Sequence, residues 1–177
     1  MTTPTQTLDT RPMIPWLVAQ QQRVLGILDG LDDQALRQPV LPSGWSCLGM
    51  LQHLARMNRF WFADVMTGQH VDEAEGDDFS VAASLPTSAV FDAYARETSY
   101  AVAVIRDLPP STPPVWWPNF FGEWRLDTLH EVVLHVLVET TCHAGHLDAA
   151  RELLDGRTWD YEHGQLGAPV PGTTGRR

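Results

Sequence analysis

Hydrophobic residues recur at three- and four-residue steps in four segments of the chain, which is the pattern of amphipathic helices. The clearest segment is LDTLHEVVLHVLVETTCHAGHLDAARELL, residues 126–154, which no proline interrupts. The predicted helices run from about Met13 to Leu31, from the N-cap Ser46 to about Thr67, from near Thr87 to before Pro109, and over 126–154 up to Gly156. Residues 32–36 add a short helical turn. No segment shows the alternation of apolar and polar residues that is typical of a β-strand. We therefore expect an all-α bundle of four helices.

The regions between and after these helices are too irregular or too charged to form a core. Residues 108–125, LPPSTPPVWWPNFFGEWR, contain five prolines and five large aromatic residues, and that proline content excludes a regular element. Residues 68–79 form a polar, acidic connection. We expect a single domain over residues 1–160 and a flexible C-terminal tail over residues 161–177, which are rich in Gly, Pro and Thr.

The amino-acid composition limits the kinds of binding partner and the cellular compartment that we expect for the protein. The formal net charge of −10 disfavours nucleic acids and anionic membranes, which require a basic face. No run of eighteen apolar residues occurs and the N-terminus lacks a secretory pattern, so we expect no membrane association. The two cysteines, Cys47 and Cys142, lie in predicted helices and fit a reducing, cytoplasmic environment. We expect Cys142 to be a small buried residue.

One acidic residue of the last predicted helix falls on its apolar side. On a helical wheel of about 100° per residue, the apolar arc holds Leu129, Val132, Val136, Leu147, Ala150 and Leu154, and the far side holds Glu131, Asp148, Glu152 and Asp155. Glu139 and His143 lie inside or beside the apolar arc, whereas His130 falls on the opposite side of the wheel. A carboxylate in a core is costly unless it is paired or bound to a metal ion. Glu139 therefore requires a partner.

A metal ion is one such partner, because Glu139 and His143 are four residues apart and one helix can offer both side chains to it. His53, at the edge of the second helix's apolar arc, could complete the set from across the bundle. Two imidazoles and a carboxylate suit Zn²⁺, Fe²⁺ or another borderline divalent ion and leave positions open for water or substrate. Spacing alone leaves other sets open, through His135 and His146. The structural alternatives are a hydrogen-bonded core histidine at position 53, a buried salt bridge of Glu139, and solvated histidines at the helix end.

Two segments resemble a known family. They are SGWSCLGMLQHLARMNRFWF, residues 43–62, and LHVLVETTCHAGHLDAARELLDG, residues 134–156. Both resemble the DinB-like superfamily, and within it the branch of mycothiol-dependent S-transferases and related thiol-dependent enzymes. The resemblance runs from the first helix through Gly156. It implies an up-down-down-up four-helix bundle that holds a divalent metal ion.

The resemblance also implies the ligands of that ion. Matched position by position, they are His53 on the second helix and the pair Glu139 and His143 on the fourth. Two positions depart from the family pattern, because Asn58 replaces a frequent acidic residue and Cys142 replaces an arginine. The first departure could alter the pocket wall and the second a surface or substrate contact, but neither removes a ligand.

The implied activity is that of a metal-dependent thiol S-transferase. The ion, with zinc first and nickel, iron or manganese as alternatives, would stabilise the thiolate of a mycothiol-like cosubstrate that attacks a small electrophile. No catalytic base can be named. His135 is either a partner of the ligand shell or a core histidine. Loop aromatics would wall the electrophile's pocket or cap the open end of the bundle, namely Trp116, Trp117, Phe120 and Phe121.

Two other functions remain open. One is a non-catalytic DinB-type stress or detoxification protein that binds a metal ion or a thiol. The other is a non-haem iron enzyme that activates oxygen, for which two histidines and a carboxylate are the usual ligands. Dimerisation through helix faces is a further expectation, although the sequence offers no decisive patch.

Overall fold

Helices make up nearly all the regular structure of the computed structural model, which describes residues 9–69, 79–160 and 165–166. Five α-helices follow one another: α1 (Ile14–Leu28), α2 (Asp33–Arg37), α3 (Cys47–Arg59), α4 (Thr87–Asp107) and α5 (Leu129–Asp155). α3 continues as a π-helix over Phe60–Met66, and short 3-10 turns lie at Arg11–Met13 and Asn119–Phe121. Two strands of two residues each, β1 (Trp159–Asp160) and β2 (Gln165–Leu166), pair antiparallel. The prediction of a helical fold is therefore confirmed, with this small hairpin added to it.

Capping residues explain where the helices begin and end. The Ser46 hydroxyl accepts a hydrogen bond of 3.1 Å from the Gly49 amide, which starts α3 at the predicted place. Thr128 and Glu131 form a capping box, so α5 starts at Leu129 rather than at the predicted residue 126. Gly156 ends α5 in the left-handed conformation with φ of 76°. α1 ends at Leu28, earlier than predicted, and the chain turns at Gly30, which also has φ of 76°.

The four long helices contact one another in a closed ring, with α1 on α5, α5 on α3, α3 on α4 and α4 on α1. One continuous core of buried side chains fills the space between them. The apolar arc of α5 is buried as predicted except at its end, where Leu154 is only partly buried; the fully inaccessible members are Leu129, Val132, Val136, Leu147 and Ala150. Within the described residues, no helix combines the length and apolar character needed to cross a membrane.

Several finer expectations about the fold remain predictions. They include the up-down-down-up course of the helices and the division into a domain over residues 1–160 and a tail over 161–177. Most of that tail lies outside the described residues, as do residues 70–78 of the acidic connection. The part of the tail that is described, residues 165–166, forms the second strand of the hairpin.

Two predictions about individual side chains are wrong. Cys142 is exposed rather than buried, because it lies one turn beyond the exposed Val138 on the outward side of α5. Phe79 belongs to the connection judged too charged for the core, yet it packs against the core cluster.

Candidate metal centre

α3 and α5 bring the two histidines of the expected ligand set into contact. The ring centroids of His53 and His143 are 4.9 Å apart, and the planes meet at 73°. The third expected ligand lies one turn before His143, where Oε2 of Glu139 is 3.4 Å from Nε2 of His143. Two helices distant in sequence therefore supply two imidazoles and a carboxylate to one region of the protein.

Glu139 does not lie in a dry core. Its side chain is 38% exposed, whereas that of His143 is 14% exposed. The expectation of a carboxylate pointed into the core is therefore wrong, because Glu139 sits at the rim of the buried face of α5. Its carboxylate contacts the imidazole of His143 instead of forming the buried salt bridge considered from the sequence. Partial exposure lowers the cost of the charge, because water still solvates the carboxylate.

Two separations among these groups are close to those between ligands of one metal ion. For ligands about 2.1 Å from a tetrahedral zinc ion, two donor atoms are separated by about 3.4 Å, and two imidazole centroids by about 5 Å. The observed values are 3.4 Å between Glu139 and His143 and 4.9 Å between the two imidazoles. A charge-assisted hydrogen bond is shorter, at about 2.7–2.9 Å. Even so, no three His, Cys, Asp or Glu side chains among the described residues are arranged to hold an ion as they stand.

Local electrostatics favour neutral imidazoles in this region. Burial lowers the pKa of His143, and the neighbouring His53 lowers it further, while Glu139 acts in the opposite direction. Burial also lowers the pKa of His135, and the charge of Glu139 again acts in the opposite direction. The neutral imidazole is the form that binds metal ions, so the surroundings of His143 favour a ligand.

Phe79 stacks on the ring of His53, a contact that the sequence did not predict. The two rings stack at 4.3 Å with an angle of 19° between them, and Phe79 is 6.4 Å from the ring of His143. The chain can approach α3 this closely because residue 49 is glycine, where a Cβ atom would overlap the carbonyl oxygen of Phe79. Gln52 holds the same segment by donating a 2.9 Å hydrogen bond to the Ser80 carbonyl. A glycine inside a helix was the available signal for this approach.

His146, left open as an alternative ligand, lies on the other side of His143 from Glu139. Its Nδ1 is 3.4 Å from Nδ1 of His143, and its ring lies 6.4 Å from that of Trp45. His135 instead contacts the aromatic residues that follow α4, and His130 lies at the far end of α5 beside Pro110, whose carbonyl accepts from its amide. Asn58 is fully buried and donates a 2.8 Å hydrogen bond to the Leu54 carbonyl.

An aromatic cluster surrounds His135, one turn before Glu139. Trp61, at the start of the π-helix, and Trp124 lie 4.8 and 5.6 Å from the His135 ring. The other members of the cluster are Phe60, Trp116, Trp117, Phe120 and Phe121. Phe120 is 73% exposed and Trp124 44% exposed, so the cluster presents aromatic surface to solvent as well as to the core. The proline-rich connection thus reaches the candidate centre through His135.

Comparison with known proteins assigns the family. The family model for mycothiol S-transferase matches residues 13–156, well over half of the 177 residues. The chain belongs to the mycothiol S-transferase family. The matched range includes all five α-helices and all three expected ligands. No curated protein and no solved structure matches the chain.

Family membership confirms the resemblance seen in the two sequence segments, a DinB-like family of the thiol-dependent branch. It points to a transferase function related to mycothiol, with that thiol as a substrate. The family match covers both helices that carry the candidate centre. The ligand set His53, Glu139 and His143 stays a prediction.

Proposed function

We propose that the protein is a metal-dependent S-transferase in which His53, Glu139 and His143 hold a divalent ion and a mycothiol-like thiol attacks a small electrophile. The observation that carries the proposal is the meeting of α3 and α5 at this point, with His53 against His143 and Glu139 3.4 Å from His143. Zinc is the first candidate ion, since it accepts imidazole and carboxylate together, and nickel, iron and manganese are the alternatives. Binding through all three side chains would require at least one of them to adjust.

A bound ion would lower the pKa of the thiol, so that the thiolate is present at neutral pH. The proton leaves the sulfur, a new sulfur–carbon bond forms, and the electrophile loses its leaving group or gains a proton after addition. The protein's part is to hold the two substrates in contact. The half-exposed Glu139 lies on the open side of the centre, where a thiol could enter.

The aromatic cluster is the proposed wall for the electrophile. Trp61 and Trp124 contact His135, which precedes Glu139 by one helical turn, so an apolar surface begins beside the centre. Packed aromatic rings exclude water, and they favour a flat or apolar reaction partner. His135 lies between this wall and the centre, which fits a side chain that contacts the ligand shell or the electrophile.

Metal content tests the ligand set. Untagged wild-type protein should contain about one divalent ion per chain by inductively coupled plasma mass spectrometry, and His53→Ala, Glu139→Gln and His143→Ala should each lose most of it. His130→Ala is the matched control, since it removes a histidine from the same helix away from the centre, and it should keep the ion. A wild-type protein that takes up no zinc, nickel, iron or manganese would refute the metal site.

Turnover tests the reaction. Mycothiol and a panel of electrophiles are incubated with the metal-loaded protein, and loss of free thiol is followed together with formation of the thioether product. Product formation that requires both the thiol and the ion supports the transferase. Thiol binding without consumption of any electrophile would instead identify a binding protein, and thiol-independent oxygen uptake by the ferrous form would identify an oxygen-activating enzyme.

A further inference from the structure

The two ring nitrogens of His143 have different neighbours. Nε2 lies 3.4 Å from the Glu139 carboxylate, and Nδ1 lies 3.4 Å from Nδ1 of His146. The ring is also bounded by His53 at 4.9 Å and Phe79 at 6.4 Å between centroids. The orientation of His143 is therefore defined on several sides, and His146 is the polar neighbour of the nitrogen that faces away from Glu139.

A neutral imidazole carries one proton, so its two nitrogens cannot both donate or both accept. If Nε2 of His143 gives its lone pair to a metal ion, the proton must be on Nδ1. Nδ1 can then donate to Nδ1 of His146, provided that His146 carries its own proton on Nε2. His146 is exposed, so water can accept a hydrogen bond from that Nε2–H. If His146 instead carried its proton on Nδ1, that group would donate to Nδ1 of His143. The proton of His143 would then lie on Nε2, which is the wrong tautomer for binding an ion through Nε2.

His146 also has an aromatic neighbour beside α3. Its ring lies 6.4 Å from that of Trp45, which directly precedes Ser46, the N-cap of α3. The helix that carries His53 and the helix that carries His143 therefore approach each other again at His146. An exposed histidine three residues from another histidine often has no specific role. His146 differs because it lies between Trp45, at the start of α3, and the candidate ligand His143, which defines its orientation.

We propose that His146 is a positioning residue for the metal centre, whose Nδ1 accepts the hydrogen bond from Nδ1–H of His143 and so directs Nε2 toward Glu139 and the ion. The inference rests on the proposed function, because it concerns the same site. A hydrogen bond to the distal nitrogen of a ligating histidine sets its tautomer and ring orientation, and loss of such a partner typically weakens metal binding by about 10–100-fold.

Zinc affinity is the first readout. It is measured on the full chain by competition with a chromophoric chelator for the wild type, His146→Ala, His146→Asn and His146→Gln. Alanine should weaken binding by about 10–100-fold. Asparagine should recover most of the affinity, because its amide oxygen can occupy the position of the histidine Nδ1, whereas glutamine places its amide farther out and should not. Cys142→Ala, which removes an exposed neighbour of His143, is the control and should bind as the wild type does.

The tautomer of His143 is the second readout, and it does not depend on activity. Two-bond ¹H–¹⁵N correlation spectra of metal-free protein with labelled histidine should show less Nδ1–H tautomer at His143 in His146→Ala than in the wild type. Equal zinc affinity and an unchanged tautomer in His146→Ala would overturn the positioning role while leaving the ligand set intact. Absence of zinc binding in the wild type would instead refute the proposed metal site, and the positioning role with it. Equal urea midpoints for all variants exclude a folding defect as the cause.

Discussion

Among the residues that the structure describes, Arg151 is one of the largest buried side chains, with only 1% of its surface exposed. Its guanidinium group donates hydrogen bonds of 2.9 and 2.8 Å to the carbonyls of Ile27 and Asp29. It also pairs with the Asp155 carboxylate at 2.8 Å. The side chain thus joins the C-terminal end of α1 to the C-terminal end of α5. It can do so because the guanidinium group is planar and carries several hydrogen-bond donors.

Replacement of Arg151 should destabilise the protein strongly. Arg151→Ala leaves the buried carbonyls without donors, and we expect a loss of about 3–5 kcal/mol in the free energy of unfolding by urea denaturation. Arg151→Lys keeps the charge but not the fork of donors, so it should lose less. Glu152→Ala, at the exposed neighbouring position, should change stability by less than about 0.5 kcal/mol. A loss below about 1 kcal/mol for Arg151→Ala would contradict the structural role.

The two cysteines have opposite surroundings. Cys47 is 1% exposed, and burial raises the pKa of its thiol from 9.0 to about 11. Cys142 is exposed on the outward side of α5. Since the thiolate is the reactive form, burial makes Cys47 unreactive both by limiting access and by raising its pKa.

Thiol labelling should therefore modify one cysteine per chain. At pH 8 a disulfide reagent should react rapidly with Cys142, and Cys142→Ala should remove that fast phase, leaving Cys47 to react only on unfolding. Because the folded-state pKa of Cys47 is raised, its neutral thiol contributes fully to stability below pH 9 and the contribution disappears as the pH rises through about 11. The unfolding free energy of Cys47→Val should accordingly fall less between pH 9 and 11 than that of the wild type. Rapid labelling of both cysteines in the native protein would contradict this assignment.

At the scale of the elements, a glycine in α1 admits the C-terminal hairpin. A Cβ atom at Gly26 would overlap the ring of Trp159, which belongs to β1. The amide of Trp159 donates a 2.7 Å hydrogen bond to Asp148 of α5. The start of the hairpin is thereby held against both α1 and α5.

Gly26→Ala should displace Trp159 and destabilise the protein by about 1–3 kcal/mol, because the added methyl group has no space. The expected signs are a lower thermal midpoint and a change in tryptophan fluorescence. Gly145→Ala is the matched control, since α5 leaves open space around that residue, and alanine should stabilise the helix by about 0.5–1 kcal/mol. A Gly26→Ala protein as stable as the wild type would show that Trp159 does not pack there.

Periodicity and capping residues predicted the ends of the helices to within about three residues. What they did not predict is a change of helical form that depends on packing against neighbouring elements. Ser46 begins α3 and Gly156 ends α5 where the sequence indicated. The π-helical form of Phe60–Met66 was not predicted, and it sets the direction of Trp61 toward His135. Hydrophobic patterns define a period but not a local change of helical winding, so this feature depends on packing.

On the scale of the whole molecule, the proposed ion would connect two helices that are far apart in the sequence. His53 belongs to α3, whereas Glu139 and His143 belong to α5, so an ion held by all three would stabilise the contact between these helices. A ligand that binds only the folded state raises the free energy of unfolding by about 2.7 kcal/mol at 100 times its dissociation constant.

Zinc should therefore raise the thermal midpoint of the wild type, and a chelator should lower it again. His53→Ala should show no zinc-dependent shift, because it removes the ligand from α3 while Glu139 and His143 remain on α5. Differential scanning fluorimetry with and without zinc provides the measurement, with His130→Ala as the variant expected to respond as the wild type does. A zinc-dependent shift that persists undiminished in His53→Ala would place the ion elsewhere. The expected homodimer stays a prediction that sedimentation velocity can check.

The sequence by itself determined the helical segments and most of the buried face of α5, because these follow from a repeat of 3.6 residues. The same repeat identified Glu139 as an acidic residue on the apolar side, but it could not choose among His135, His143 and His146 as its partner. The family resemblance selected His143 and, from the other helix, His53. Only the tertiary structure decided that Glu139 and Cys142 are exposed, that Phe79 stacks on His53, and that Nδ1 of His146 faces His143. A helical wheel orients residues within one helix, whereas burial and contact at the edge of a face depend on which other segment covers it.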